Sequence, residues 1–435
     1  MNICVMGLWH LGSVTASSLA SIGFNVIGYD ADERLIDSLN EGKSPVFEKS
    51  LDDTIKQGIK DKRLIFTSDL KKATSNIDYL WITYDTPVDE SDEADHEYVK
   101  NKIKDCFQYI KDGLIIVISS QLPVGSTGEL KTFARENYLD KEIHFSYIPE
   151  NLRLGNALEN FLNPDRLVVG CNNSALKEKL NKMLIRITEN IEWMSIESAE
   201  MTKHAINSFL ATSITFANEI ASICEIVGAD AKEVERGLKT ESRIGKKAYL
   251  SPGGPFSGGT LARDVNFLTK ISNSENLLTP TLSSIALSNN QHKNWTKIQL
   301  VKIFSSLKNV KISIWGLIYK SGTDTLRRSL FVELCDWLIS EGAEVNIYDP
   351  MVSELPDNLK DRVNKINIPA NSIHKIDALI IGTSNQQFIE DFKNSSSNID
   401  SKLIIVDANR LLYPILKDME LQYISVGLNS IKNYE

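Results

Sequence analysis

The chain has 435 residues, 57 of them acidic and 48 basic, for a formal net charge of −9. That length exceeds what one hydrophobic core serves and predicts two or three domains, and the composition is that of an ordinary folded protein. The acidic balance offers no footprint for nucleic acid, and no apolar run approaches the length of a membrane span, so neither is expected as a partner.

Five cysteines (Cys4, Cys106, Cys171, Cys224 and Cys335) are scattered, odd in number and without metal-ligand spacing. They predict reduced, mostly buried thiols, no metal, and a cytoplasmic protein. The sequence runs straight into a strand, so no signal peptide is expected.

Asn2 to Met6 reads as a short apolar strand, followed by the turn Gly7-Leu8-Trp9-His10-Leu11-Gly12, a helix over Ser13 to Ile22, and a strand over Asn25 to Tyr29 ending in Asp30. This is the plan of a dinucleotide site, in which the helix amino terminus faces the pyrophosphate and the acid takes the ribose hydroxyls. Trp9 stands where the second glycine of the G-x-G-x-x-G fingerprint belongs, so the cofactor is expected to lie slightly differently. Asp30 would repel a 2′-phosphate, which favours NAD over NADP.

Alternation continues with a strand over Tyr79 to Thr83, the segment Asp85-Thr86-Pro87, a helix over Tyr98 to Ile110, strands over Leu114 to Ser119 and Ile143 to Tyr147, and a helix between them. Strands separated by helices predict a parallel sheet, with ligands at the loops after the strand carboxyl ends. Those loops are Asp85 to Pro87, Ser119 to Ser126 (holding Ser120), and Pro149 to Gly155, holding Glu150, Leu152 and Arg153. Glu150 reads either as a functional acid or as a carboxylate that starts a helix.

A helical pattern then spans Ser195 to Gly228, with Ser195 as N-cap and Gly228 as the left-handed stop. At about 1.5 Å per residue it would run nearly 50 Å, longer than one small domain covers, so it bridges two domains or packs on its own copy. Lys203 and Asn207 lie one turn apart on it, with Glu200 just before; alone, they read as the solvated edge of an amphipathic helix. Asp230 and Glu233 resemble a capping box. The loop Ser251 to Asp264 follows, with Gly253, Phe256, Gly258 and Thr260. Its prolines fix a path while its glycines expose backbone N–H groups to a ligand, although a plain structural turn fits as well.

The last third repeats the opening: a strand over Val310 to Trp315 meets Gly316, a helix covers Leu330 to Glu341, and a strand over Glu344 to Ile347 ends in Tyr348-Asp349-Pro350. In place of a glycine-rich turn stands Lys320 to Arg327, whose cations suit a phosphate-bearing ligand. The fold class expected is α/β, with two Rossmann-like, doubly wound parallel-sheet domains joined by a long central helix. The expected divisions are 1–195 for the cofactor, 196–297 for a helical dimerisation domain, and 298–435 for the substrate.

Together these segments resemble the UDP-glucose/GDP-mannose dehydrogenase family along essentially the whole chain. The resemblance rests on Gly7 to Asp30, Thr86-Pro87, Ser119 to Gly125, Pro149-Glu150, Asn163 to Arg166, and Glu200 to Glu219. It continues through Arg243 to Gly245, Pro252 to Asp264, Gly316 to Ser329, Tyr348 to Pro350, and Asp407 to Arg410. It implies an NAD-dependent enzyme that oxidises the primary alcohol of a nucleotide-sugar twice, to a uronic acid, as a homodimer built on the long helix. Lys203 and Asn207 match the lysine and asparagine that hold the reacting oxygen, Asp264 the acid that works with water as base, and Glu150 a family glutamate. Ser120 matches the position of a catalytic-site threonine, and Arg243 an arginine that reaches the partner's site. Tyr249, Lys320 and Arg327 match substrate-binding positions, Arg327 also being placed with the cofactor residues.

The sequence departs from that pattern where the family has a nucleophilic cysteine: the position is Thr260. Arg263 replaces a lysine, and Leu154 an expected second glutamate. An alcohol has no accessible anion near neutral pH, so the covalent thiohemiacetal and thioester steps lose their nucleophile while hydride removal does not need it. Three readings follow: a single two-electron oxidation, full oxidation through the aldehyde hydrate, or a nucleotide-sugar-binding protein without catalysis.

Overall fold

In the computed structural model, β1 (Asn2–Met6) is an interior strand of the first sheet, and its residues alternate between two buried clusters. Ile3 and Val5 join Trp81 and Val117 on one face; Cys4 and Met6 join Leu80 and Ile116 on the other. A strand covered on both faces is apolar throughout, which is why these segments read as continuous hydrophobic runs. The structure describes residues 1–87, 94–150, 152, 155–257, 259–319, 325–326, 328–395, 399–417 and 419–428. They fall into two units, Met1–Ile206 and Asn207–Glu435.

The first unit also contains β2 (Asn25–Tyr29), β3 (Leu64–Thr67), β4 (Tyr79–Ile82), β5 (Ile115–Ile118), β6 (His144–Tyr147), β7 (Leu167–Gly170) and β8 (Ile191–Met194). The sheet order is β3-β2-β1-β4-β5-β6-β7-β8, so the order reverses between β1 and β4. All neighbours pair in parallel except β6 and β7, which meet antiparallel at Tyr147 and Gly170, a reversal not expected from the alternating pattern.

The second unit carries β9 (Lys311–Trp315), β10 (Glu344–Tyr348), β11 (Asn364–Lys365), β12 (Ala378–Ile381), β13 (Ile404–Asp407) and β14 (Gln422–Ile424). Their order is β11-β10-β9-β12-β13-β14, with every neighbour parallel. The echo of the opening motif is structural. Gly7 N donates to Tyr29 O at 3.0 Å, and Gly316 N to Tyr348 O at 2.9 Å. Asp30 Oδ2 accepts from Leu8 N at 2.8 Å; Asp349 Oδ2 accepts from Leu317 N at 2.7 Å and Ile318 N at 3.1 Å. Each acid thus fixes the turn after the first strand of its sheet.

The long helix spans Ile196–Val227, within one residue of the expected span at either end. Ser195 caps it, its Oγ accepting from Ser198 N at 3.1 Å. Its most apolar window has a mean hydropathy of 1.3, enough by length and composition alone to cross a membrane, which the interrupted sequence pattern did not suggest. Its polar groups argue for a helix bound within protein: Glu200, Lys203, His204 and Asn207 are all buried. Glu200 and Lys203 are also hydrogen-bonded to neighbouring segments, at a cost in lipid that these bonds remove. The five cysteines are free, four of them buried, and burial pushes the Cys106 and Cys335 thiols up to about 12.

Candidate functional site

The Gly7–Gly12 turn is built for close approach. Gly7 has φ of +92°, and a Cβ there would fall 2.6 Å from the Tyr84 ring. A Cβ on Gly12 would fall 1.8 Å from Gly7 O, so the helix His10–Ser21 packs directly on the turn. Trp9 needs no such freedom: its φ is −65° and its side chain is 52 % exposed. The middle glycine of the fingerprint is thus replaced by a residue that needs no positive φ. Leu11 is buried, and Thr83 Oγ1 donates to Gly7 O at 2.8 Å, tying the turn to the end of β4. Asp30 Oδ1 accepts from Asp32 N at 3.1 Å, leaving acceptor capacity on both oxygens for hydroxyls.

Ser120 follows β5. Its Oγ is wholly buried and has no hydrogen-bond partner among the described residues. Eleven other buried polar atoms among the described residues share that state, so what sets Ser120 apart is its place at the carboxyl end of β5. Glu200 holds the loop after it: its carboxylate accepts from Gly125 N (2.6 Å), Thr127 N (3.0 Å) and Thr127 Oγ1 (2.6 Å). Thr86 Oγ1 donates to Gln121 O at 2.7 Å, so Thr86 is buried against the same loop, whereas Pro87 is exposed. A glycine-lined turn at a helix amino terminus, an acid after β2 and an orphaned hydroxyl after β5 fit a dinucleotide.

Lys203 is not on a solvated edge. Its Nζ donates to Glu150 Oε1 and to Glu150 O, both at 2.7 Å, and the side chain is buried. Glu150 Oε2 accepts from Leu152 N at 2.9 Å, and among the described residues the next helix is Ala157–Leu162.

In the second unit, Asn207 Nδ2 donates to Asp264 Oδ2 at 2.5 Å, with both side chains buried. The carboxylate can only accept, so it fixes the amide with Nδ2 towards it. Thr260 is the exposed first residue of the helix Thr260–Ser274, after Gly259 at φ +94°; Asp264 lies one turn on. The loop before it corrects one expectation. The N–H groups of Gly253, Gly254 and Phe256 are taken by the side-chain oxygens of Asn218, Asn409 and Asn289, each at 3.0 Å. The loop is held by asparagines, and these N–H groups are not presented to a ligand. Burial pushes the His292 imidazole below its ordinary value, so it stays neutral and its Nε2–H donates to Gly253 O at 2.8 Å.

Arg243 is 86 % exposed at its side chain, bonded to Glu241 in its own loop at 3.0 Å, and Tyr249 is exposed too. Arg153, Gly258, Lys320 and Arg327 lie outside the described residues. The reading of the sequence missed Glu48, Asn218, Asn289 and His292 as site supports. Of these only Glu48, a lone acid amid Ser44 to Leu51, carries any local signal.

Three successive stretches match one family's description: the NAD binding domain over residues 1–188, the central domain over 197–291, and the UDP binding domain over 313–414. The chain belongs to the UDP-glucose/GDP-mannose dehydrogenase family. It is 32 % identical to a UDP-glucose 6-dehydrogenase of Rickettsia bellii over 98 % of this chain and 99 % of that one. It is 30 % identical to another from Bacillus subtilis, covering 100 % and 95 % of the two. The structure of a UDP-glucose dehydrogenase from Pyrobaculum islandicum superposes with a TM-score of 0.87 at 26 % identity, over 98 % of each chain. The chain is accordingly an NAD-dependent nucleotide-sugar dehydrogenase in its coarse class, with NAD as cofactor.

Proposed function

We propose that this dehydrogenase takes one hydride from a CH–OH group of a nucleotide-diphosphate sugar and stops at the aldehyde. One observation carries the reading: Thr260 opens its helix where the family pattern has a nucleophilic cysteine, while the Lys203–Glu150 and Asn207–Asp264 pairs are both formed. Lys203 and the second amide N–H of Asn207 hold the alcohol oxygen and stabilise its developing negative charge. Asp264 takes the proton through water. NAD, when bound, accepts the hydride. The balance is alcohol plus NAD to aldehyde, NADH and one proton.

Gly7, Trp9, His10, Leu11, Gly12, Asp30, Thr86, Pro87 and Ser120 line the cofactor side of this proposal, with Glu150 and Leu152 on the substrate side. The domains follow as 1–195, 196–297 and 298–435, and free thiols fit a cytoplasmic setting. Full oxidation through the aldehyde hydrate is the second reading, favoured by the whole-length match to proteins named UDP-glucose 6-dehydrogenase. A panel of nucleotide-sugars with NAD, followed for NADH and product mass together, tests both. No NADH from any of them would leave only a binding protein.

Asp30 is expected to set cofactor choice. NAD should bind at least about tenfold more tightly than NADP, or roughly 1.4 kcal/mol. Equal affinities in a titration would remove Asp30 from the ribose site.

A homodimer is expected on the long helix. Phe209, Phe216 and Ile223 recur every seventh residue and are exposed, with Ile226 beside them 84 % exposed. Such a stripe is stabilised by burial against its own copy. Sedimentation at micromolar concentration should give a dimer, and Phe216→Glu a monomer. Arg243→Ala should weaken substrate binding more than NAD binding; a fully active wild-type monomer would contradict both expectations.

A further inference from the structure

The carboxylate of Glu48 is buried, although it belongs to neither the fingerprint nor any recognised site motif. Its Oε1 accepts from His10 Nε2 at 2.8 Å and from Gly155 N at 2.6 Å; its Oε2 accepts from Ala157 N at 3.2 Å. A carboxylate only accepts, so Nε2 carries the proton. The two arms lead to different places. His10 is the first residue of the helix whose amino terminus faces the cofactor's pyrophosphate. Gly155 and Ala157 close the segment that begins at Glu150, the partner of Lys203. Glu48 itself precedes the helix Leu51–Lys60 and is held there, Leu51 N donating to its carbonyl at 3.2 Å.

We infer that Glu48 is a positioning residue that couples cofactor binding to substrate binding, by tying the dinucleotide turn to the Glu150 segment through one buried carboxylate. The inference rests on the proposed function, which gives the turn to the cofactor and Glu150 to the nucleotide-sugar. Cofactor seated on the turn fixes His10, hence Glu48, hence the far end of the Glu150 segment. A nucleotide-sugar binding next then meets Gly155 and Ala157 already held by Glu48, and the coupling is reciprocal.

The test uses the full-length protein with NADH and UDP-glucose, a pair that binds without turnover. The dissociation constant of NADH is measured with and without saturating UDP-glucose. In the wild type UDP-glucose should tighten NADH at least fivefold. In Glu48→Ala, which removes the acceptor that serves both arms, the factor should fall below twofold. His10→Phe, which cuts only the cofactor arm at a partly exposed residue, should lower it as far, and the double variant no further. This second variant keeps the test alive if Glu48→Ala folds poorly. A purely structural Glu48 would lower the melting temperature and leave the coupling factor within twofold of wild type, which overturns the inference. No coupling in the wild type overturns it too. Failure of NADH to bind at all, by contrast, overturns the proposed function itself.

Discussion

Replacing Lys203 with alanine is expected to lower kcat by at least about 10³-fold, or roughly 4 kcal/mol of transition-state stabilisation, with the KM for NAD within threefold. The ammonium is buried and oriented by two bonds to Glu150, one to its carbonyl and one to its carboxylate. It therefore meets a developing alkoxide without first having to be immobilised. Alanine removes that charge and leaves Glu150 without its buried partner. Because the Glu150 side chain is a quarter exposed, water can solvate it, and the fold should survive. Lys203→Met, which refills the space without charge, should lose the same rate with a smaller drop in melting temperature. A variant that kept more than about a tenth of wild-type kcat would mean that Lys203 only supports the Glu150 segment.

The other large effect concerns residue 260. The aldehyde formed by the first hydride transfer faces, in this account, a threonine hydroxyl that has no accessible anion at neutral pH. Thr260→Ala should therefore be mild, within about threefold in kcat, a change of under roughly 0.7 kcal/mol. Thr260→Cys should act in the opposite sense and add a second oxidation. The residue is exposed and opens a helix of 15 residues, an environment that favours the thiolate. The thiolate adds to the aldehyde carbon, a second hydride leaves that carbon for a second NAD, and water cleaves the resulting thioester to acid and free thiol. NADH per sugar should then rise from one towards two. No rise in a folded, NAD-binding Thr260→Cys would mean that residue 260 does not reach the reacting carbon.

The parts of this molecule legible in the sequence are those with local periodicity. β1, the Gly7–Gly12 turn and Asp30 lie within one short stretch, and the second unit repeats the same plan at Gly316 and Asp349. The bonds that shape the site are not local. Glu200 reaches Thr127 across 73 residues, Glu48 reaches Gly155 across 107, and Asn409 reaches Gly254 across 155. No spacing rule links such residues, so nothing local ties the three asparagines to the Pro252 loop. The loop was instead read from its glycines, and its N–H groups were expected to serve a ligand when they serve those asparagines. Lys203 shows the same limit from the other side. Its helical spacing allows a solvated edge, and only the fold brings Glu150 against it. The alternating pattern also does not announce β7, which runs against β6.

The central claim is that chemistry stops after one hydride transfer. The most direct measurement counts NADH formed per nucleotide-sugar consumed at the end of the fast phase, with product mass and intact-protein mass from the same reaction. One NADH, an aldehyde or its hydrate, and an unmodified Thr260 are expected. Two NADH per sugar with the acid as sole product, or a sugar ester on Thr260, would contradict it.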